Sequence, residues 1–292
     1  MFKSIISKII QMTNNSADEL LYRENVVKIQ KHSLIHYYGN VHSQRGQDGI
    51  ISEILRRLKI DKGFFVEFGA WDGIYLSNTR FLYEKGWNGC LIEGNRKKYL
   101  DIVRYFDNKS IKMINGLVGF SHSSDDRFKK PLDEILAGHN INLNTIDLLV
   151  IDIDGFDLEI LKDLTFRPKI IIIEGGFDFS PFYTKSIDYP IGNAGGILQQ
   201  PLGYIFKTGI DRGYVPVCFL QDTYLIREDL FNMSLFNIDN SVVTLYKDAF
   251  FFMSSSWNRQ LLQKRSRNKI IIKLETSEFG YFNVDPLGYE NI

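Results

Sequence analysis

Apolar residues fall along this chain in two alternating patterns. Between Gln47 and Leu58, Ile50, Ile51, Ile54, Leu55 and Leu58 recur at helical intervals, so the spacing predicts a helix. Short, almost unbroken apolar runs predict strands at Phe64–Phe68, Asn88–Glu93, Ile111–Val118, Asp147–Ile153 and Lys169–Glu174. Helix-like stretches lie between them, over Ser77–Lys85, Asn95–Phe106, Pro131–Gly138 and Leu158–Leu164, with a polar loop over Ser121–Lys130. Continuous apolar strands alternating with helices mark an α/β chain whose mostly parallel sheet is buried on both faces. A helix over Pro201–Arg212 and a hairpin of Tyr214–Leu220 with Thr223–Ile226 close that sheet.

The flanks are less regular. Residues up to about Asn40 read as helical and then irregular, with His32, His36 and His42. Their spacing fits no regular zinc pattern, so loop or substrate-facing histidines are expected. The stretch 175–201 is long for a simple connection and rich in Gly, Pro and aromatics, which predicts a functional loop or lid. Beyond Leu230 come Phe250, Phe251, Phe252 and Trp257, then a basic cluster of Arg259, Lys264, Arg265, Arg267 and Lys269. That cluster reads as a solvated helix face, with a site for substrate phosphate as the alternative.

Composition narrows the class. With 292 residues, 44% hydrophobic, the chain can build one large core with appendages. A formal net charge of zero gives nucleic acid no overall attraction. Cys90 and Cys218 sit in apolar strand-like runs and are expected as buried free thiols, which fits a cytoplasmic protein. No apolar run reaches the roughly 20 residues of a membrane-spanning helix. The amphipathic start, Met1 to Ile10, is interrupted by Lys8 and fails as a signal peptide. It reads as a packing or dimer-forming helix, which leaves a homo-oligomer open.

Chemistry concentrates at two strand ends. The first strand runs into Glu67-Phe-Gly69-Ala-Trp-Asp72-Gly73, and the second ends at Glu93. This layout suits a nucleotide-type cofactor across two neighbouring parallel strands, with the second acid accepting hydrogen bonds from a ribose diol. A dinucleotide site would place G-x-G-x-x-G at the first turn. Here one glycine is absent, Trp71 is bulky, and Glu67 and Asp72 put negative charge where a pyrophosphate would sit. Such a turn favours a cationic ligand, S-adenosylmethionine. The second hot spot is Asp152-Ile-Asp154-Gly-Phe-Asp157, with Glu174 closing the next strand. Asp152 and Asp154 share a face if their strand continues that far. Alternatively Asp154 caps the following helix, with Asp157 completing the cap. Asp152, Asp154 and Glu174 are the candidate catalytic residues. They would either hold a divalent cation, Mg²⁺, Mn²⁺ or Ca²⁺ given oxygen ligands, or supply a carboxylate base. His42 is a further candidate base.

Several ordered segments resemble the FkbM family of S-adenosylmethionine-dependent methyltransferases: Ser43–Asp48, Phe65–Thr79, Gly86–Glu93, Ile146–Gly155 and Arg167–Glu174. The likeness spans about Val41 to Leu230. It implies a Rossmann-like methyltransferase fold and O-methylation, often of a sugar hydroxyl on a glycan, glycolipid or glycosylated natural product. It also implies a division into a 1–40 extension, a 41–230 cofactor-binding domain and a 231–292 accessory segment. By the same likeness Glu67, Gly69 and Gly73 shape the methionine pocket, Ser77 and Asn78 lie near its amino and carboxyl groups, and Glu93 holds the ribose. Gln44 and Asp72 join that cofactor set, and Asp152 with Glu174 occupy metal-binding positions. Two departures stand out: Gln47 where the family usually has Glu, and Asp154 where it often has Glu. The expected function is methyl transfer to a hydroxyl of a saccharide or nucleotide-linked sugar. The rival readings are a non-catalytic binding module on the same scaffold and a nicotinamide-dependent oxidoreductase.

Overall fold

A computed structural model describes residues 28–106, 109–153, 155–175, 180–185 and 200–254. Strands β1 (Phe64–Phe68), β2 (Asn88–Glu93), β3 (Ile111–Asn115), β4 (Leu148–Ile151) and β5 (Ile170–Glu174) run parallel. β7 (Asp222–Arg227) lies antiparallel to β5, and β6 (Tyr214–Leu220) antiparallel to β7. The order across the sheet is β3-β2-β1-β4-β5-β7-β6. From β1 the chain winds outward to β3, then returns to β4 on the other side of β1. Loops leaving β1 and β4 therefore diverge, which opens a crevice at their carboxyl ends. This is the expected Rossmann-like methyltransferase fold, with its closing antiparallel hairpin.

Strand side chains alternate between two apolar layers, as a pleated sheet requires. One layer contains Phe65, Leu91, Leu148, Val150, Ile170, Ile172, Tyr224 and Ile226, packed with Ile50, Ile51 and Ile54 of helix α1 (Gln47–Leu58). Helices α2 (Arg80–Glu84) and α3 (Arg96–Tyr105) add Phe81, Leu82 and Ile102 to it. The other layer contains Val66, Phe68, Cys90, Ile92, Leu149, Ile151, Ile171 and Ile173. It is covered by helices α4 (Leu132–Gly138) and α5 (Asp157–Asp163) through Ile135, Leu136, Leu158 and Leu161. Helix α6 (Leu202–Asp211) leads into the hairpin. After a short α7 (Met233–Phe236), α8 (Val242–Ser254) adds Leu245, Tyr246, Ala249 and Phe250–Phe252 to the first layer. Cys90 and Cys218 are buried free thiols, as expected.

Three expected boundaries move, each for a local reason. β4 ends at Ile151 rather than Ile153, because the Ile153 and Gly155 amides donate to the Asp157 carboxylate instead of a ladder. The strand therefore stops short of Asp152, and the condition set for a face shared by Asp152 and Asp154 is not met. α2 begins at Arg80 rather than Ser77, because residues 77–79 bond to Glu67. β3 stops at Asn115, where the Asn115 amide and the Gly116 N–H both donate to the Glu93 carbonyl. The Met1–Ile10 helix, most of the 175–201 loop, Asp154, Trp257 and the basic cluster of Arg259 to Lys269 lie outside the described residues.

Candidate active site at the carboxyl edge of the sheet

One register row carries most of the chemistry. Glu93 pairs with Asn115, and Glu174 pairs with Asp222. One step beyond the last ladder pairs, Gly69 falls beside Glu93, and Asp152 falls between Gly69 and Glu174. The row therefore reads Asn115, Glu93, Gly69, Asp152, Glu174, Asp222 across six strands, with the switch point in its middle. Gly69 has φ +73°, and a Cβ there would overlap the Asp152 carbonyl oxygen. Only glycine lets β1 and β4 approach this closely while turning the loop out of the sheet.

Glu67, two register positions below that row, is buried and accepts three hydrogen bonds. Ser77 Oγ donates at 2.9 Å, the Asn78 N–H at 3.0 Å and Thr79 Oγ1 at 2.5 Å. Burial raises its pKa, these donors pull it down, and the nearby Asp48 charge raises it again; the net shift is upward. Glu67 thus ties the loop before α2 to the end of β1. Ser77 and Asn78 are both brought to it.

Glu93 is buried and clamps the other side of the turn. Its Oε2 accepts the Trp71 N–H at 2.7 Å and its Oε1 the Asn95 N–H at 2.6 Å. An ionised carboxylate offers about four acceptor positions, so each oxygen retains capacity for a further donor. Trp71 adopts φ +52° and leaves its indole half exposed, with Lys98 Nζ 4.3 Å from the ring centroid. Asp72 Oδ1 accepts the Ile74 and Tyr75 amides at 3.0 and 2.8 Å, and Lys98 stands 3.5 Å from Oδ2. Burial pushes the Asp72 carboxyl up, but these amides and Lys98 outweigh it and the pKa falls. Asp72 therefore stays ionised while shaping the turn. Gly73, at φ +71°, packs where a Cβ would press on the Phe106 ring.

On the far side of the switch point, Asp152 and Glu174 are half-buried neighbours in the row. Asp157 holds the loop after β4: its Oδ1 and Oδ2 accept the Ile153 and Gly155 amides, both at 2.9 Å. Asp154 lies outside the described residues. Among the described residues no group of three or more His, Cys, Asp or Glu is placed to hold a metal ion. His42, in the loop before α1, places its Nε2 2.9 Å from Oε2 of Glu84 at the end of α2. Gln44 is exposed, and its carbonyl accepts Asn40 Nδ2.

Three residues of the site are not in the candidate set read from the sequence. Asp222 is 4% exposed and accepts Gln47 Nε2 at 2.7 Å, and burial raises its pKa to about 6. Gln47 Oε1 accepts the Arg45 N–H, so a single amide joins β7 to the loop before α1. An amide donor is what an ionised Asp222 requires here; a second carboxylate would repel it. Asp48 Oδ2 accepts the Val41, His42 and Ser43 amides at 2.6, 2.7 and 2.9 Å. The Ser43–Asp48 motif pointed at Gln47 and Asp48, but nothing in the sequence pairs Gln47 with a residue 175 positions away.

A mostly parallel sheet in this order, closed by an antiparallel hairpin and with acids along its carboxyl edge, is that of a methyltransferase-type α/β protein. The family model described as Methyltransferase FkbM domain matches residues 126–189, the stretch that carries α4, β4, α5 and β5. No curated protein matches the chain. Fold and family match together support a methyltransferase. Among the described residues no helix is long and apolar enough to cross a membrane.

Proposed function

We propose that this protein is an S-adenosylmethionine-dependent O-methyltransferase whose acceptor is a sugar hydroxyl. The observation that carries the reading is the register row, in which the acids Glu93 and Asp152 stand on either side of Gly69 at the switch point. The residues present fit the cofactor. Glu93 retains acceptor capacity for a ribose diol on both oxygens, and the buried Asn78 Oδ1 has no hydrogen-bond donor. The acids around the turn disfavour a pyrophosphate, which argues against a nicotinamide dinucleotide.

When bound, S-adenosylmethionine supplies a methyl group made electrophilic by its sulfonium. The protein's task is to orient the acceptor hydroxyl in line with that methyl and to remove its proton as the new C–O bond forms. Asp152 and Glu174 stand side by side in the row and are the carboxylates to receive the proton. The expected result for Asp152→Asn is a turnover loss of about 10²–10⁴-fold, the usual contribution of a positioned base. Affinity for S-adenosylhomocysteine stays within about threefold in that variant. Unchanged turnover removes Asp152 from the chemistry. Calorimetry with S-adenosylmethionine, S-adenosylhomocysteine and NAD tests the reading as a whole: tight NAD binding without S-adenosylhomocysteine binding overturns it.

A further inference from the structure

Helix α3 lies beside β2 and β3, and β3 is the edge strand of the sheet. Of its ten residues only Ile102 is buried. Residues three and four apart are neighbours on a helix surface. Leu100 stands at one of those intervals from each of Arg96, Lys97, Val103 and Arg104, and all five are exposed. Leu100 and Val103 expose 39% and 40% of their surfaces. Leu117, 45% exposed, occupies the space that a Cβ on Gly94 would take and extends the apolar strip at the head of the helix. The helix carries four cations, Arg96, Lys97, Lys98 and Arg104, against one acid, Asp101, on a chain of zero formal net charge. Arg104 pairs with Asp101 at 2.8 Å and Lys98 stands 3.5 Å from Asp72. Arg96 contacts the Tyr99 ring and the Asn115 side-chain oxygen rather than a carboxylate. An aliphatic centre is thus rimmed by cationic ends on a convex surface.

We propose that this face of α3 docks the protein on the surface of a bilayer that contains anionic lipid. A helix exposing aliphatic side chains among lysines and arginines matches such an interface. The aliphatic groups enter the boundary between headgroups and acyl chains, while the cationic ends reach lipid phosphates. A second copy of the chain is the poorer occupant, because two such faces brought together oppose like charges. A convex helix face, unlike a groove, also suits a flat and deformable surface. Asn95 caps α3 and its N–H bonds Glu93, so the docked face starts beside the candidate active site. Docking of this kind is peripheral and requires neither the proposed cofactor nor the proposed acceptor.

Flotation of the full chain with lipid vesicles tests this. Wild type is expected to bind vesicles of equal parts phosphatidylglycerol and phosphatidylcholine at least about tenfold more tightly than vesicles of phosphatidylcholine alone. Added salt is expected to weaken that binding. The double variant Arg96→Glu with Lys97→Glu is expected to lose at least about tenfold in affinity for the anionic vesicles. Leu100→Ser with Val103→Ser is expected to lose about tenfold on the same vesicles through its missing apolar contacts. All four side chains are exposed, so both variants are expected to melt near wild type, which confirms their folding. Should one variant not fold, the other decides. A folded variant of either kind that floats like wild type overturns the proposal, since charge without insertion, or insertion without charge, is not this docking. Wild type that ignores anionic vesicles overturns it as well. Wild type that binds polyglutamate but no vesicles assigns the face to an acidic polypeptide and overturns the bilayer.

Discussion

At the scale of single residues the carboxylates of the crevice divide by what already bonds to them. Glu93 uses one acceptor position on each oxygen for the Trp71 and Asn95 amides and retains the rest. Glu93→Ala is therefore expected to weaken S-adenosylhomocysteine binding by about 1–3 kcal/mol, the range for a lost hydrogen-bonding partner of charged type. Calorimetry reads this directly, and an unchanged affinity removes Glu93 from the ribose role. Asp222 behaves differently, because it is buried and its pKa rises from 3.8 to about 6. Between pH 4 and 6 the folded protein retains a proton that the unfolded chain has released, so stability falls as pH rises through that window. Asp222→Asn does not titrate and can still accept from Gln47. Its stability advantage over wild type is expected to grow from pH 4 to 7 by on the order of 2–3 kcal/mol and then level off. Urea unfolding at a series of pH values measures it; a difference independent of pH shows that Asp222 does not carry the buried charge.

At the scale of elements, legibility followed the range of the interaction. α1, β1 and β2 begin and end where the apolar pattern places them, because their limits are set by residues within a few positions. α3 runs Arg96–Tyr105 inside its expected span, since Asn95 caps it through the Lys97 and Lys98 amides. The limits of β4 and α2 were not legible, because they depend on carboxylates bonding backbone across a turn: Asp157 after β4 and Glu67 before α2. The placement of Glu67, Gly69, Glu93, Asp152 and Glu174 at the carboxyl edge was legible, since all lie near or just past strand ends. It was illegible at Asp222, whose role depends on the register of an antiparallel edge pair. The aromatic run near residue 250 was equally opaque. Its helix α8 packs on β6, and Asp248 accepts both the backbone and side-chain N–H groups of Gln30 at 3.0 and 2.9 Å. Leu245 lies in that contact, buried in the first apolar layer. Leu245→Ala is expected to cost about 2–4 kcal/mol in chemical denaturation, as for other buried leucines. A loss below about 0.5 kcal/mol, the level of surface changes, would show that α8 does not stabilise the sheet.

At the scale of the whole molecule, the crevice joins parts of the chain that the two apolar layers hold independently. Glu67 belongs to β1 and Gly69 follows it, Glu93 belongs to β2, Asp152 follows β4, and Asp48 belongs to α1. On the proposed reading, a cofactor held at Glu93 and the turn after β1 binds only when the register between β1 and β2 is intact. Such a ligand stabilises the folded state by mass action, by about 2.7 kcal/mol at a hundredfold excess over its Kd. For a folded unit of this size that corresponds to a rise in Tm of roughly 5–10 °C. S-adenosylhomocysteine is expected to produce this shift in wild type, a smaller one in Glu93→Ala at the same concentration, and an undiminished one in Asp152→Asn. NAD is expected to produce none. The ordering matters more than any single value, because it separates residues that bind the cofactor from a residue that acts on the acceptor. A wild-type protein whose melting is indifferent to S-adenosylhomocysteine has no cofactor in its crevice, whatever the sheet resembles.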